Sequence, residues 1–243
     1  MKGKIYIIGT GPGSKDLIAE RALNAIKESN VIAGYGVYTE LIADLIEGKE
    51  LIVTPMKQEV DRCKKAIEAA EKGNIVSIIS SGDAGVYGMA GLLLELAENS
   101  TVEIEVISGI SAVLAAAARL GAPLTHDFAV ISLSDLLTPW EKIEKRLHNA
   151  AMAEFIIALY NPSSKKRADY LKKACDIMSP FINENTICGY VKNCEREQEE
   201  YGTLLFKDLK DFQADMFTII IIGNSTTKLI NNKMVTPRGY KGV

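Results

Sequence analysis

The 243 residues carry 28 Lys plus Arg against 31 Asp plus Glu, a net charge of −3, with 47% hydrophobic and 24% charged residues. That apolar share excludes a disordered chain, and the slight acidity argues against a general nucleic-acid binder. The most apolar short run, Met216 to Ile222, cannot span a bilayer, and Met1 to Ile8 has no separate basic, apolar and cleavage regions of a signal peptide.

In chain order, Lys4 to Ile8 is predicted as a strand ended by glycines, and Asp16 to Glu28 as a helix with Ile18, Ala22, Ala25 and Ile26 on one stripe. Asn30 to Ala33 follows as a strand, Tyr38 to Ile46 as a helix, and Glu50 to Val53 as a strand closed by Thr54-Pro55. Glu59 to Glu71 is predicted as a helix presenting Val60, Cys63, Ala66, Ile67 and Ala70, stopped by Gly73. Asn74 to Ser80, Gly88 to Glu98 and Val102 to Ile107 then read as strand, helix and strand. Strands alternating with helices imply βαβ units and a largely parallel sheet.

Ile110 to Leu120 is an Ala-rich helix ending at Gly121, and Ala122-Pro123 breaks the chain. Strands are predicted at Phe128 to Leu133, Glu154 to Tyr160, Thr186 to Val191, Glu200 to Phe206 and Phe217 to Ile222. Helices fit Pro139 to Met152 and Ser163 to Met178. The last two strands follow without an intervening helix, which suggests a mixed sheet with an antiparallel portion. Charge divides the chain similarly: 11 basic and 16 acidic residues up to Ala112, 17 and 15 from Val113. The expected organisation is an N-terminal α/β domain, 1–112, and a C-terminal mixed α/β domain, 113–243.

Cys63, Cys175, Cys188 and Cys194 form no C-x-x-C pair, and His126 and His148 are not spaced to complete a zinc site. Reduced thiols in a cytoplasmic protein, with no protein-bound metal, are the expectation.

Three loops after strands carry the chemistry. Gly9-Thr10-Gly11-Pro12-Gly13 allows a tight turn and close approach of a ligand, but Ser14 breaks the G-x-G-x-x-G spacing and Pro12 removes an amide donor, so phosphate cradling is disfavoured. Ser80 to Gly88 (SSGDAGVYG) is a long small-residue loop at the carboxyl end of a parallel strand, where ligands bind in such sheets; the alternative is an ordinary loop with an acid near a helix start. Gly109-Ile110-Ser111-Ala112 repeats the arrangement.

In this order these motifs resemble the tetrapyrrole methyltransferases that use S-adenosylmethionine. The resemblance runs over essentially the whole chain and sharpens at Gly34-Tyr35-Gly36-Val37-Tyr38, Gly121 to Trp140, Leu159-Tyr160-Asn161-Pro162 and Thr236-Pro237-Arg238-Gly239-Tyr240. Together they resemble the cobalamin-pathway branch that methylates ring carbon 17 of precorrin-3B or cobalt-factor III and contracts the macrocycle. The resemblance implies a two-domain α/β fold with the cofactor in the interdomain cleft, a homodimer, a tetrapyrrole substrate carrying any cobalt itself, S-adenosylhomocysteine as product, and neither membrane nor nucleic-acid partner. By motif match the cofactor meets Pro12, Ser81, Gly82, Asp83, Val86, Ser111, Ala112, Tyr160 and Asn161. Many relatives have Pro where this chain has Ala84, which predicts a slightly more flexible loop.

Methyl transfer from a sulfonium asks chiefly for alignment of two reactants and exclusion of water. Ring contraction asks for proton movements, and the resemblance implies lactone formation by a macrocycle carboxylate. Candidates for that work are His126, Tyr35, Tyr38 and Asp127, with Asp135 beside them: imidazole moves protons near neutral pH, and aromatic faces suit a flat ligand. For His126 the alternative is a hydrogen-bonded, partly buried histidine. Lys165, Lys166, Arg167 and Arg238 read as solvated charges or partners of substrate carboxylates, and Trp140 as packed core. Other readings are a sister enzyme acting at carbon 20 or carbon 11, an RNA methyltransferase of the same superfamily, a nicotinamide-dependent reductase, and a non-catalytic tetrapyrrole or cofactor carrier. The reductase lacks a ribose-binding acid where Ala33-Gly34 stand.

Overall fold

The computed structural model describes residues 3–164 and 167–242. Its chain divides into two compact units, Met1–Ala112 and Val113–Val243.

In the first unit, β1 (Lys4–Gly9), α1 (Glu20–Glu28), β2 (Val31–Tyr35), α2 (Gly36–Glu40), β3 (Glu50–Thr54), α3 (Glu59–Glu71), β4 (Ile75–Ser80), α4 (Ala90–Leu96) and β5 (Glu103–Ile107) follow one another. The sheet runs β3-β2-β4-β1-β5, and every pairing is parallel. Both faces of the inner strands β2, β4 and β1 are covered, so these are largely apolar on both sides, whereas the edge strands β3 and β5 are more exposed. Ile5, Ile7, Val76 and Ile78 pack under α3 and α4 with Cys63, Ala66 and Leu93. Tyr6, Ile8, Ile32 and Ile79 pack with Ala22, Ala25 and Ile26 of α1 on the other face.

Several predicted boundaries shift. The helix expected over Asp16 to Glu28 is a 3-10 turn at Lys15–Leu17, an extended Ile18, then α1. The Ser14 side chain caps the turn by accepting from the Asp16 N–H. Tyr38 to Ile46 resolves into α2, which starts earlier, and a 3-10 turn at Ala43–Leu45. α3 has the expected bounds, but its buried face holds Arg62, while Val60 is 47% exposed.

The second unit contains α5 (Ala112–Leu120, entering from the first), β6 (Gly121–Ala122), β7 (Phe128–Ser132), α6 (Trp140–Met152), β8 (Ile156–Tyr160), α7 (Tyr170–Met178), β9 (Ile187–Lys192), β10 (Glu200–Leu205), α8 (Phe206–Leu209), β11 (Thr218–Ile222), β12 (Lys228–Ile230) and β13 (Lys233–Val235). Its main sheet is mixed, β10-β9-β11-β8-β7, with only β7 and β8 parallel. Helices α6, α7 and α8 cover one face through Ile143, Leu147, Leu171, Met178, Phe206 and Leu209. From α5, Leu120 fills the space over Gly189, where a Cβ would lie 2.5 Å from its methyl carbon.

Here too the reading needs correction. The short α8 separates β10 from β11, and α7 starts at Tyr170 rather than Ser163. A small sheet, β12-β13-β6, was not foreseen. Its hairpin turns on Asn231 and Asn232 at φ 50° and 61°, the left-handed pair that a two-residue turn of this type requires.

Candidate functional site

The parallel order places the carboxyl ends of β4, β1 and β5 side by side, which brings the three glycine loops together. Their main chains touch. A Cβ at Gly109 would lie 2.3 Å from the Gly82 carbonyl oxygen and 2.5 Å from that of Gly9; one at Gly9 would lie 2.6 Å from the Gly82 oxygen. Gly11 and Gly82, both at positive φ, exchange two backbone hydrogen bonds of 3.0 and 2.7 Å. Thr10 adds bonds from its N–H and its hydroxyl to the Ser80 carbonyl. The result is a floor of bare backbone.

Asp83 links two of the loops. Its Oδ1 accepts the Gly85 N–H at 2.8 Å and its Oδ2 accepts the Gly109 N–H at 2.9 Å. The following Ala84 is fully buried, and its carbonyl accepts the Ala90 N–H. Pro12 and Ser111 are buried, Ser81 and Asp83 half-buried, and Val86 exposed, while Ala112 opens α5. All seven residues that motif match assigned to the cofactor in this unit therefore lie on three adjacent loops.

Beside this floor, at the ends of β3, β2 and β4, lies a cavity of about 170 Å³. Tyr35 and Tyr38 line it, their rings edge to face with centroids 5.3 Å apart. Met56, Arg62, Ser81 and Tyr87 also line it. Tyr87 adopts φ 55°, an uncommon conformation for a bulky side chain, and is 57% exposed. Sequence reasoning singled out neither Tyr87 nor Arg62. Tyr87 lies inside a quoted motif, and the signal for Arg62 is its place four and eight residues before Ala66 and Ala70.

The second unit holds the other candidates. Tyr160 ends β8, and its hydroxyl accepts the Val113 N–H at 3.0 Å. Asn161, at φ 52°, donates from Nδ2 to the Ser132 hydroxyl. His126 and Asp127 lie between β6 and β7, the former half-buried, the latter exposed. No hydrogen bond to the His126 imidazole occurs among the described residues, and the residue is half-buried. The preceding Thr125 is fastened to the C-terminal motif: its hydroxyl donates to the Thr236 carbonyl, and Arg238 Nη1 donates to the Thr125 carbonyl at 2.9 Å.

Asp135 is occupied by Tyr170, whose hydroxyl donates at 2.6 Å, and by Arg167. The Tyr170 bond first, then Arg167, hold its carboxyl below the ordinary value, which suits a fixed anion better than a proton carrier. Trp140 packs partly buried against the core with its ring 4.5 Å from that of Tyr170. Lys165 and Lys166 lie outside the described residues. The four cysteines are buried free thiols, and burial pushes Cys63 up to about 11 and Cys175 and Cys194 up to about 12. Among the described residues no cluster of three metal-ligating side chains occurs, and no helix is long and apolar enough to cross a membrane.

Residues 4–210 match the family model of the Tetrapyrrole (Corrin/Porphyrin) Methylases. The cobalt-factor III methyltransferase of Priestia megaterium is 46% identical over 99% of the chain, which spans only 46% of that protein. The probable cobalt-factor III C(17)-methyltransferase of Salmonella typhimurium is 44% identical over 97% of the chain and 99% of its own length. Among solved structures, the crystal structure of the methyltransferase CobJ superposes with a TM-score of 0.92 at 36% identity, covering 97% of this chain and 100% of that one.

Proposed function

The chain belongs to the tetrapyrrole (corrin/porphyrin) methylases, and on that premise we propose that it transfers a methyl group from S-adenosylmethionine to ring carbon 17 of cobalt-factor III or precorrin-3B, with contraction of the ring. The observation that carries this reading is the end-to-end similarity to the Salmonella relative, whose name specifies that carbon. The names of both relatives favour the cobalt-bearing substrate, with the metal as part of the substrate.

The glycine floor fits the cofactor. Without Cβ atoms at Gly9 and Gly109 the three loops pack main chain against main chain, and Ser81 and Ser111 stand on the same loops. When bound, S-adenosylmethionine supplies a methyl already activated on a sulfonium. Asp83 also holds the β4 and β5 loops in register; Pro12, Ser81, Gly82, Asp83, Val86, Ser111 and Ala112 are the contacts assigned to this unit. Tyr160 and Asn161 are the second unit's assigned contacts. Tyr35 and Tyr38 offer aromatic faces to a flat macrocycle, and alignment of this kind can lower a barrier by roughly 7–11 kcal/mol. His126, with Asp127 beside it, carries the proton movements of contraction. A homodimer in the cytoplasm completes the reading.

The test is mass spectrometry and absorbance of the product after mixing the protein with S-adenosylmethionine and cobalt-factor III. One added methyl with the spectrum of the contracted ring is expected. Tight cofactor binding with an unchanged macrocycle would overturn the proposal and leave the carrier reading.

A further inference from the structure

The cavity at the ends of β3, β2 and β4 is lined by Arg62, a buried charge that no carboxylate pairs among the described residues. Arg62 sits in the first turn of α3 and is 3% exposed. A guanidinium has five N–H donors and stays charged at any pH the fold tolerates. Nε donates to Thr54 Oγ1 at 3.0 Å, and Nη2 donates to the Thr54 and Pro55 carbonyls, both at 3.3 Å. Nη1 has only the thioether of Met89, at 3.6 Å. All these acceptors are neutral. Among the described residues no carboxylate pairs with Arg62. Its neighbour Glu59, which also lines the cavity, is turned to the Lys57 N–H at 3.0 Å. A buried charge without a counter-ion is costly to maintain, and the single N–H of Nη1 left over after these four bonds belongs to a residue that walls a cavity.

The size of the space limits what enters. Pockets for whole drug-sized ligands occupy about 300–1,000 Å³. A cavity of about 170 Å³ admits one acidic side arm and not a macrocycle. Tyr35, Tyr38, Met56 and Tyr87 offer apolar surface to the arm's carbon atoms, while Ser80, Ser81 and Glu59 make the rest of the lining polar; the bond at its end is charge-assisted.

We propose that this cavity is a carboxylate subsite, in which Arg62 Nη1 receives one carboxylate arm of the tetrapyrrole and so sets which edge of the ring is presented beside the glycine loops. This rests on the tetrapyrrole reading of the substrate above. The carboxylate of the cofactor's methionine moiety has the same chemistry, so the experiment separates the two sources.

Wild type, Arg62→Met and Arg62→Lys are titrated with S-adenosylmethionine by calorimetry, and with cobalt-factor III and its fully methyl-esterified form by absorbance. Arg62→Met is expected to weaken binding of the free acid by about 10- to 100-fold, the size of a lost charge-assisted hydrogen bond. It should bind the ester as wild type does and keep the cofactor affinity. Arg62→Lys, which keeps the charge but not the fork, should fall between, and it carries the acid-to-ester comparison if Arg62→Met does not fold. Equal weakening of acid and ester would reduce Arg62 to a brace for the Thr54-Pro55 corner and overturn the proposal. A fall in cofactor affinity alone would assign the subsite to the cofactor and overturn it too. Wild type that methylates cobalt-factor III yet binds acid and ester alike would overturn the subsite alone; wild type that binds neither would overturn the functional reading with it.

Discussion

Replacing Gly109 with alanine tests the floor of the site most directly. The new methyl carbon would lie 2.3 Å from the Gly82 oxygen, 2.5 Å from the Gly9 oxygen and 2.6 Å from the Gly9 carbonyl carbon. The first gap is about 1 Å shorter than van der Waals contact, and all three atoms are backbone that no rotamer change can move. Either β1 or the β4 loop must retreat, which strains the Gly109 N–H bond to Asp83 and the paired bonds between Gly11 and Gly82. Overpacking of well-fitted interiors costs about 1–3 kcal/mol, and rigid neighbours on two sides place this case near 3. For a chain of this length that is roughly 6–12 °C in Tm, at about 2–4 °C per kcal/mol. Gly91→Ala is the matched control: nothing lies within 4 Å of its added Cβ, and it sits inside α4, where alanine is favoured over glycine by about 0.5–1 kcal/mol. Calorimetric melting of both variants, with S-adenosylmethionine titrated into each, should show opposite signs in Tm and a loss of cofactor affinity in Gly109→Ala only. A Gly109→Ala protein that melts within a degree of wild type and keeps its cofactor affinity would refute the reasoning about the floor.

Asp83→Ala leaves the Gly85 and Gly109 N–H groups without their acceptor; an expected loss of about 2 kcal/mol accompanies weaker cofactor binding, and unaltered calorimetric affinity would remove Asp83 from the site. Asp135→Asn should lower Tm near neutral pH. A carboxyl held below its ordinary value stabilises the fold above the unfolded pKa of ~3.9 and loses that contribution as pH falls through the folded one, so the gap to wild type should close in acid; a constant gap would be the contrary result. His126→Ala should yield more methylated but uncontracted product, measured as the ratio of the two masses and spectra; an unchanged ratio would acquit His126 of proton transfer.

Local sequence determined much of this protein. Runs such as Ile5 to Ile8 and Ile75 to Ile79 are apolar on both strand faces, and only a sheet covered on both sides buries them. Glycine spacing at 9–13, 82–88 and 109 marked the loops, because bare backbone and positive φ are written directly in residue type. The Asn231-Asn232 turn was equally legible in kind, yet its flanking strands are too short for periodicity to reveal them. What tertiary structure alone decided is adjacency and charge. That β1 lies between β4 and β5 follows from crossovers over distant residues, and it turns three separate turns into one floor. Arg62 shares a helical row with the buried Ala66 and Ala70, yet its charge alone would suggest solvent; the Thr54-Pro55 corner supplies the acceptors that accompany its burial. Residue type offers Asp83 as an acceptor, and packing alone brings both its oxygens to backbone N–H groups, one of them 26 residues away. Residue type states what a side chain can bond to, whereas long-range packing determines which of those partners comes within reach and whether water remains to compete.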